Sequence, residues 1–498
     1  MQIKQLITNQ KQWITYILLL IIVFLAWNYF GLLFILYLYF LLKHFDKAKD
    51  EKFTQYVLKS IILLTIWHLG VLFWMIPIEN GEGILGFIGN LIYYLLFFII
   101  IYFIRNRIKS DIFLVIPLWL IFEHLTELSP FSFPWLTIGN VLSTNTSLIQ
   151  WFEYTGVLGG SFWLWYVTYS LYMHKKHITL VLLLPLLISF YLLYNNKSTN
   201  KVHHENFTYI TFNSEKYFAQ NPYQDNNKHA FYIRELMSFL KSDAIVIPEQ
   251  TFRGILYDKI NNELFYSYLN DLLNNHSTTE IHMGITAINN TNAIVNAFVS
   301  FNKDKHYLKT KKKLIPYTEY LPQKISKSLR KTSFHPNISD SLISIKKDLK
   351  TSPLICYESI YSHFVANDSS DSNLILLITS ESFFQQSNFG MNQYNNILAL
   401  RAIENRLPIL KASNYGHSLL INKTGKVIHK TKDEIGIFKI TKEPIHDGTF
   451  YIKFTNRYIF SILLIYTCFL FLKKYIINKF NYVSKFLFYL LIQYFSPY

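Results

Sequence analysis

The chain has 498 residues, of which 51% are hydrophobic, 17% aromatic and only 16% charged; soluble globular domains carry about 25% charged residues, so the whole chain does not read as one. A formal net charge of +16 would suit a nucleic-acid binder, but there is no basic helix, zinc-ligand spacing or other nucleic-acid motif, and membrane flanks give Lys and Arg a simpler role. Two cysteines, Cys356 and Cys468, cannot build a disulfide framework.

Apolar residues crowd 12–196 and 458–472, whereas 197–457 is mixed sequence. The chain therefore divides into a transmembrane domain (1–196), a soluble domain (197–457), a last span (458–472) and a tail (473–498). A membrane helix needs about 20 apolar residues, and candidates lie near 57–76, 84–104, 112–126, 158–173, 178–195 and 458–472. The uncharged stretch Gln12 to Leu42 is either one long crossing or two short ones. Loop charge favours two. Lys43, Lys47, Lys49 and Lys52, then Arg105, Arg107 and Lys109, then Lys175 and Lys176 fall on one side, and Lys4 and Lys11 join them only if 12–42 turns back near Asn28 to Gly31. The intervening loops Pro77 to Gly83 and Glu127 to Gly156 contain no Lys or Arg. By the positive-inside rule the basic side is cytoplasmic, giving eight crossings, seven of them before residue 197. The amino-terminal apolar run is too long, and lacks the cleavage site, for a removable signal peptide, and reads as a retained anchor.

The soluble domain then leaves the membrane at Asn195 and returns at Arg457 towards Lys473 and Lys474, which makes it extracytoplasmic. The short apolar stretch Phe486 to Phe495 reads as lying along the inner surface. Cys468 sits in an apolar run and reads as packing. Strands are expected at 207–212, 243–248, 281–288, 293–301, 353–356, 373–379, 407–412 and 417–421. Helices are expected at 228–241, 319–331 and 392–405, the last with Ile397, Leu400, Ala402 and Ile403 on one face. Alternation of strands and helices over this length indicates a layered α/β domain.

Three ionisable residues stand at the ends of apolar strands, where a rigid scaffold presents side chains to a cleft. Glu249 follows Pro248 in IVIPEQTF, Lys311 precedes Pro316 by five residues in KKKLIPYTEYLP, and Cys356 closes the strand in SPLICYESI. A thiol, a carboxylate to take its proton and an ammonium to face an oxyanion suffice for acyl transfer. Each alone also has an ordinary reading, as a solvated glutamate, a solvated lysine run and a core cysteine, and spacing does not choose between them.

The order PE, K-x-x-L-I-P-Y-x-E-Y-L-P, ICYE and LRAIENRLPILKASNYG resembles the nitrilase (carbon-nitrogen hydrolase) superfamily, and more closely the apolipoprotein N-acyltransferases of bacteria. The stretches SFPWLTIGN (132–140) and EYTGVLGGSFW (153–163) extend the resemblance into the apolar half. It implies an eight-helix transmembrane domain with a nitrilase-like α/β domain (an α-β-β-α sandwich) outside the bacterial inner membrane. It further implies transfer of an acyl chain from a membrane phospholipid, through a cysteine thioester, to the amino-terminal S-diacylglyceryl-cysteine of an apolipoprotein. On that resemblance Glu249 is the general base, Lys311 stabilises the oxyanion, Cys356 is the nucleophile, and Glu319, Tyr357 and Glu358 support them. Glu358 has a second reading, as a carboxylate at a helix amino terminus. No cofactor or metal is expected, and the chain is expected to act as a monomer.

Thr318 stands where a glycine is common in the family, Ile247 where a tryptophan often precedes PE, and TSESFFQ (379–385) where T-N-D-A-W-F-G is usual. These departures bear on the lining of the site. Aromatic segments Tyr217 to Tyr223 and Phe383 to Phe389 are candidate lipid-guiding arms. The rival readings are a membrane-anchored amidase passing the acyl group to water, an inactive lipoprotein-binding homologue, and a transporter; paired intramembrane charges of the kind transport sites show are not evident.

Overall fold

A computed structural model of the chain describes residues 2–78, 81–129, 133–198, 206–221, 225–256, 263–275, 280–288, 293–303, 306–316, 318–320, 343–346, 349–385, 387–441, 448–470 and 472. Among the described residues seven α-helices precede the first strand: α1 (Gln2–Asn28), α2 (Phe34–Lys47), α3 (Phe53–Leu72), α4 (Glu82–Ile108), α5 (Val115–Leu128), α6 (Phe152–Tyr172) and α7 (Ile178–Ser198). The apolar stretch Gln12 to Leu42 does turn back. Phe30 is extended, a 3-10 turn follows at Gly31–Leu33, and a Cβ on Gly31 would stand 2.3 Å from the Val141 carbonyl oxygen, so only glycine fits there.

Among the described residues four helices are long and apolar enough to cross a membrane: Lys11–Asn28, Phe53–Met75, Glu82–Ile108 and Ile178–Asn195. The expected eight are not all met by that measure. Helices α2 and α5 have 14 residues each, about 21 Å of helix against a hydrocarbon core of about 30 Å. Helix α6 is interrupted at Gly156 (φ 62°), and the last helix is described only over 456–470. Cys468, read as packing, is exposed on that last helix.

Among the described residues twelve strands build the α/β domain: β1 (Asn206–Phe212), β2 (Ala244–Leu256), β3 (Glu280–Ile288), β4 (Ile294–Phe301), β5 (His306–Thr310), β6 (Ile343–Lys346), β7 (Leu349–Ile355), β8 (Leu374–Ser380), β9 (Ile409–Asn414), β10 (Ser418–Ile421), β11 (Val427–Thr431) and β12 (Ile435–Thr441). They form two six-stranded sheets, ordered β12-β1-β2-β3-β4-β5 and β11-β10-β9-β8-β7-β6. Each has a parallel centre, β1-β2-β3 in one and β7-β8-β9 in the other. Side chains alternate across a strand. Val246 thus faces the second sheet, with Phe298, Ile355, Leu376, Ile378 and Leu410 between the two. Ile245 and Ile247 face away, against Ala230 and Ile233 of α9 (Asn226–Met237) and Leu269 and Leu272 of α10 (Leu264–Asn275).

Two short helices, α8 (Glu215–Gln220) and α11 (Ser362–Asp368), fall between strands of the chain. The second sheet has α12 (Asn388–Asn405) on its other face, against Ile375 and Leu377, and Ile397 and Leu400 of α12 share a core with the amino-terminal helices. One helix layer of the sandwich therefore rests on the amino-terminal helices. Gln393 of α12 shows how closely. Its carbonyl accepts from the indoles of Trp74 (3.2 Å) and Trp135 (2.9 Å), and its amide donates to Asn28 (3.1 Å) and the Val71 carbonyl (3.3 Å).

All eight expected strands are present, with shifts at their ends. Strand β7 stops at Ile355, one residue before Cys356. Pro248 does not end β2, which runs on to Leu256 with its pairing to β3 shifted between Ile247 and Phe252. A proline lacks the ladder N–H and is tolerated at such an irregularity, and Gln250 (φ 54°) supplies the bend. Helix 228–241 is α9, and 392–405 falls within α12; that at 319–331 lies, from residue 321, outside the described residues. So do Phe486 to Phe495 and the tail.

Candidate active site

Glu249 sits at the bend of β2, against the ends of β8 and β9 of the second sheet. Its neighbour on β3 is Gly284, where a Cβ would come within 2.4 Å of the Glu249 Cα, so the bend needs a bare backbone beside it. The carboxylate is buried and fully engaged: Oε1 accepts from Lys311 Nζ (2.9 Å) and Asn296 Nδ2 (2.7 Å), and Oε2 accepts from the Ser380 backbone N–H (2.9 Å).

Lys311 leaves the end of β5, its backbone N–H donating to the Asn296 carbonyl (2.8 Å). Its ammonium also donates to Glu319 Oε1 (2.8 Å), and the second Glu319 oxygen accepts from the Ile315 N–H (2.9 Å). Burial alone would lower the Lys311 pKa, but Glu249 and Glu319 beside it hold it well above the ordinary 10.5. Burial in turn raises the Glu319 carboxyl, against the pull of Lys311.

Cys356 occupies the first position after β7 with φ 46°, and opens a 3-10 turn at Cys356–Ile360. A left-handed backbone is costly for a residue with a Cβ and needs support. Here the Cys356 carbonyl accepts from Tyr394 OH (3.1 Å) and Ser359 Oγ (2.7 Å). Thr379 Oγ1 donates to the sulfur (3.2 Å). Burial pushes the thiol pKa well up from the ordinary value, and the Glu249 charge adds to the rise. The sulfur is therefore a neutral thiol that needs a base to become nucleophilic.

The supporting residues divide by what they touch. Glu358 is wholly buried and links two segments: one oxygen accepts from the Lys312 N–H (2.7 Å) in the Lys311 loop, the other from the Ile355 N–H (2.9 Å) before the nucleophile. Its reading as a carboxylate at a helix amino terminus holds too, since it closes the first turn of Cys356–Ile360. Tyr357 stacks on Phe133 from the membrane part (6.1 Å, 20°) and meets Tyr361 edge-on. The neighbouring Lys313 stays out of the cluster. The Lys313 ammonium donates to the Glu127 carbonyl (2.9 Å).

The proposed arms are packed. Tyr217 lies flat on His229 (4.0 Å, 4°) in the soluble core, and 222–224 lie outside the described residues. Phe384 packs on Trp74 (5.1 Å) and Phe389 on Phe73 (5.3 Å), both on the membrane part. Phe383 edges a cavity shared with Met75, Gly83, Phe133, Ile315 and Pro316. Sequence reasoning missed Asn296, Thr379, Tyr394 and Lys411. Asn296 carried a usable signal, an amide in the middle of the apolar run AIVNAFVSF, since a buried polar side chain needs partners. Among the described residues no group of three or more His, Cys, Asp or Glu is arranged to hold a metal.

Two family matches divide the chain as the architecture does. Residues 16–170 match the apolipoprotein N-acyltransferase N-terminal domain, and residues 232–441 match the carbon-nitrogen hydrolase domain. The chain belongs to the apolipoprotein N-acyltransferase family, acyltransferases of the carbon-nitrogen hydrolase superfamily. The apolipoprotein N-acyltransferase of Rickettsia bellii is 27% identical over 404 residues, covering 76% of this chain and 78% of its own. That of Rickettsia typhi is 27% identical over 343 residues, covering 63% of this chain and 66% of its own. Among solved structures, a CN-hydrolase superfamily protein from Xanthomonas campestris aligns over 48% of this chain and 91% of its own, at 14% identity and a TM-score of 0.37.

Proposed function

We propose that this chain is a multi-pass inner-membrane enzyme, acting as a monomer, that N-acylates the amino-terminal S-diacylglyceryl-cysteine of apolipoproteins from a phospholipid donor. In this reading residues 1–196 and 458–472 cross the membrane eight times, 197–457 form the catalytic domain on the periplasmic side, and 473–498 lie inside. The short helices α2 and α5 then cross within the bundle, where neighbouring helices shield their ends. The observation that carries the mechanism is the Lys311 ammonium held between Glu249 (2.9 Å) and Glu319 (2.8 Å) beside the half-buried Cys356 thiol.

Glu249 takes the Cys356 proton as sulfur attacks the donor ester carbonyl. The negative charge that develops on the carbonyl oxygen faces Lys311, whose charge two carboxylates maintain. Collapse expels the lysophospholipid alkoxide, which takes the proton back from Glu249 and leaves a thioester on Cys356. The acceptor's α-amino group then attacks the thioester, Glu249 accepts its proton and passes it to the departing sulfur, and an amide remains. Asn296 and the Ser380 N–H keep Glu249 oriented, and Glu358 fixes the Lys311 loop to the nucleophile turn.

Incubating the purified protein with acyl-labelled phospholipid tests this directly. A hydroxylamine-sensitive adduct is expected on the native chain and none on Cys356→Ala; an adduct that survives the substitution removes the mechanism. With an acceptor lipopeptide added, labelled amide is expected, and free fatty acid alone would make the chain an amidase-like hydrolase.

A further inference from the structure

At the far end of the membrane helices from Cys356 lies a cavity of about 290 Å3, walled by α1, α2 and α3. Trp74, just past the end of α3, contacts α12 beneath the nucleophile turn, whereas Lys59 of α3 stands at the cavity; the fourteen residues between them span on the order of 20 Å. The floor of the cavity is apolar, with Leu19, Phe40 and Leu63, and its rim carries Lys43, Lys47 and Lys59. Glu51 pairs with Lys59. Lys43 and Lys47 are exposed, and among the described residues no carboxylate pairs with either.

The surroundings of the mouth narrow the choice of occupant. On α1, which forms one wall, Trp13 and Ile17 are 67% and 57% exposed, a surface suited to acyl chains rather than water. A free anion would satisfy the two lysines and leave the apolar floor wet. A neutral lipid would fill the floor and leave both ammonium groups unanswered. An anionic phospholipid meets both demands, and basic pockets between helices on the cytoplasmic side are where such headgroups bind. Gln12 and Thr15, also on the wall, offer hydrogen bonds to a headgroup hydroxyl.

We infer that this cavity is a second lipid site, which holds the headgroup of an anionic phospholipid of the inner leaflet, across the membrane from the site of acyl transfer. The assignment to the inner leaflet rests on the helix orientation proposed above. Bound this way, the lipid ties α1 to α2 and α3 at the end where no soluble domain clamps them.

Reconstitution of the full chain in nanodiscs of equal phosphatidylglycerol and phosphatidylethanolamine, followed by mass spectrometry of retained lipid, reads the site. Phosphatidylglycerol is expected to be enriched on the protein. The Lys43→Gln/Lys47→Gln variant should lose about fivefold of that affinity for each lysine, and Thr15→Trp, which keeps both lysines and fills the cavity, should lose it as well. Unchanged enrichment in either variant overturns the inference, and so does competition by glycerol phosphate as strong as by the lipid, which would make this a site for a soluble anion. Thioester formation at Cys356 should stay at its native level in both variants, so failure of the lipid site and failure of the acyltransferase reading separate. Lys49→Cys in a Cys356→Ala/Cys468→Ser background should resist a membrane-impermeant thiol reagent added from outside; labelling from outside overturns the inner-leaflet assignment.

Discussion

Lys311 and Lys411 are both buried lysines paired to a glutamate near the Cys356 turn, yet their ammonium groups meet opposite fates. Lys311 faces two carboxylates, Glu249 and Glu319, and its pKa is held well above the ordinary value against burial. Lys411, on β9, faces one, Glu381 at 2.5 Å, with the Asn395 side-chain oxygen at 2.7 Å, and there burial prevails and the pKa falls. At Lys411 one carboxylate does not outweigh desolvation and the repulsion of Lys430, whereas at Lys311 two carboxylates outweigh desolvation. The comparison explains why the proposed site uses a second glutamate that takes no proton in the reaction.

Removing each lysine breaks the comparison most sharply. Lys311→Met should cut thioester formation by about 10²-fold or more, as loss of an oxyanion-stabilising group does. Lys411→Met should act on folding instead. It strands Glu381, which is wholly buried, at a cost of about 3–5 kcal/mol, visible as a lower Tm, while the folded fraction still forms thioester; adding Glu381→Gln should restore most of the loss. If Lys411→Met matches the chemical defect of Lys311→Met at equal folded fraction, the two lysines share the oxyanion and the assignment fails.

Glu319→Gln sharpens the same contrast by giving Lys311 the surroundings of Lys411. With one carboxylate gone, the folded-state pKa of Lys311 drops, so activity should be lost on the alkaline side at a lower pH than in the native chain, where the ammonium persists above the ordinary 10.5. An unmoved alkaline limb would mean that Glu249 suffices alone. The smallest expected effect concerns the thiol. Because burial and Glu249 raise its pKa, alkylation of Cys356 in a Cys468→Ser background should be slow at neutral pH and still climbing at pH 9. A plateau near neutrality would reveal a preformed thiolate instead.

The sequence carried the strands and the three ionisable residues because both are local. Apolar runs bounded by turn residues mark β1 to β4, and Glu249, Lys311 and Cys356 each follow such a run or its equivalent. What stayed hidden depends on distant neighbours. The polar faces of β11, with all but Thr431 exposed, gave no apolar run to read. The passage of β2 through Pro248 requires knowing that Gly284 lies beside Glu249. The support given by Tyr394 to the Cys356 carbonyl spans 38 residues and looked in sequence like one more core aromatic. The membrane helices show the same limit: charge alone located the turn at Gly31, but it could not foretell that α2 and α5 have only 14 residues each.

Gln393 and Tyr394 are consecutive residues of α12, and their side chains serve opposite partners. The first is spent on Trp74, Trp135, Asn28 and Val71 of the membrane part, and the second holds the carbonyl of the nucleophile. A water-soluble fragment cut at residue 197 would therefore be a poor surrogate for the whole chain. It would surrender every partner of the Gln393 amide one peptide unit away from the clasp on Cys356, so inhibitor screening or crystallisation built on such a fragment would be working with an unregistered nucleophile.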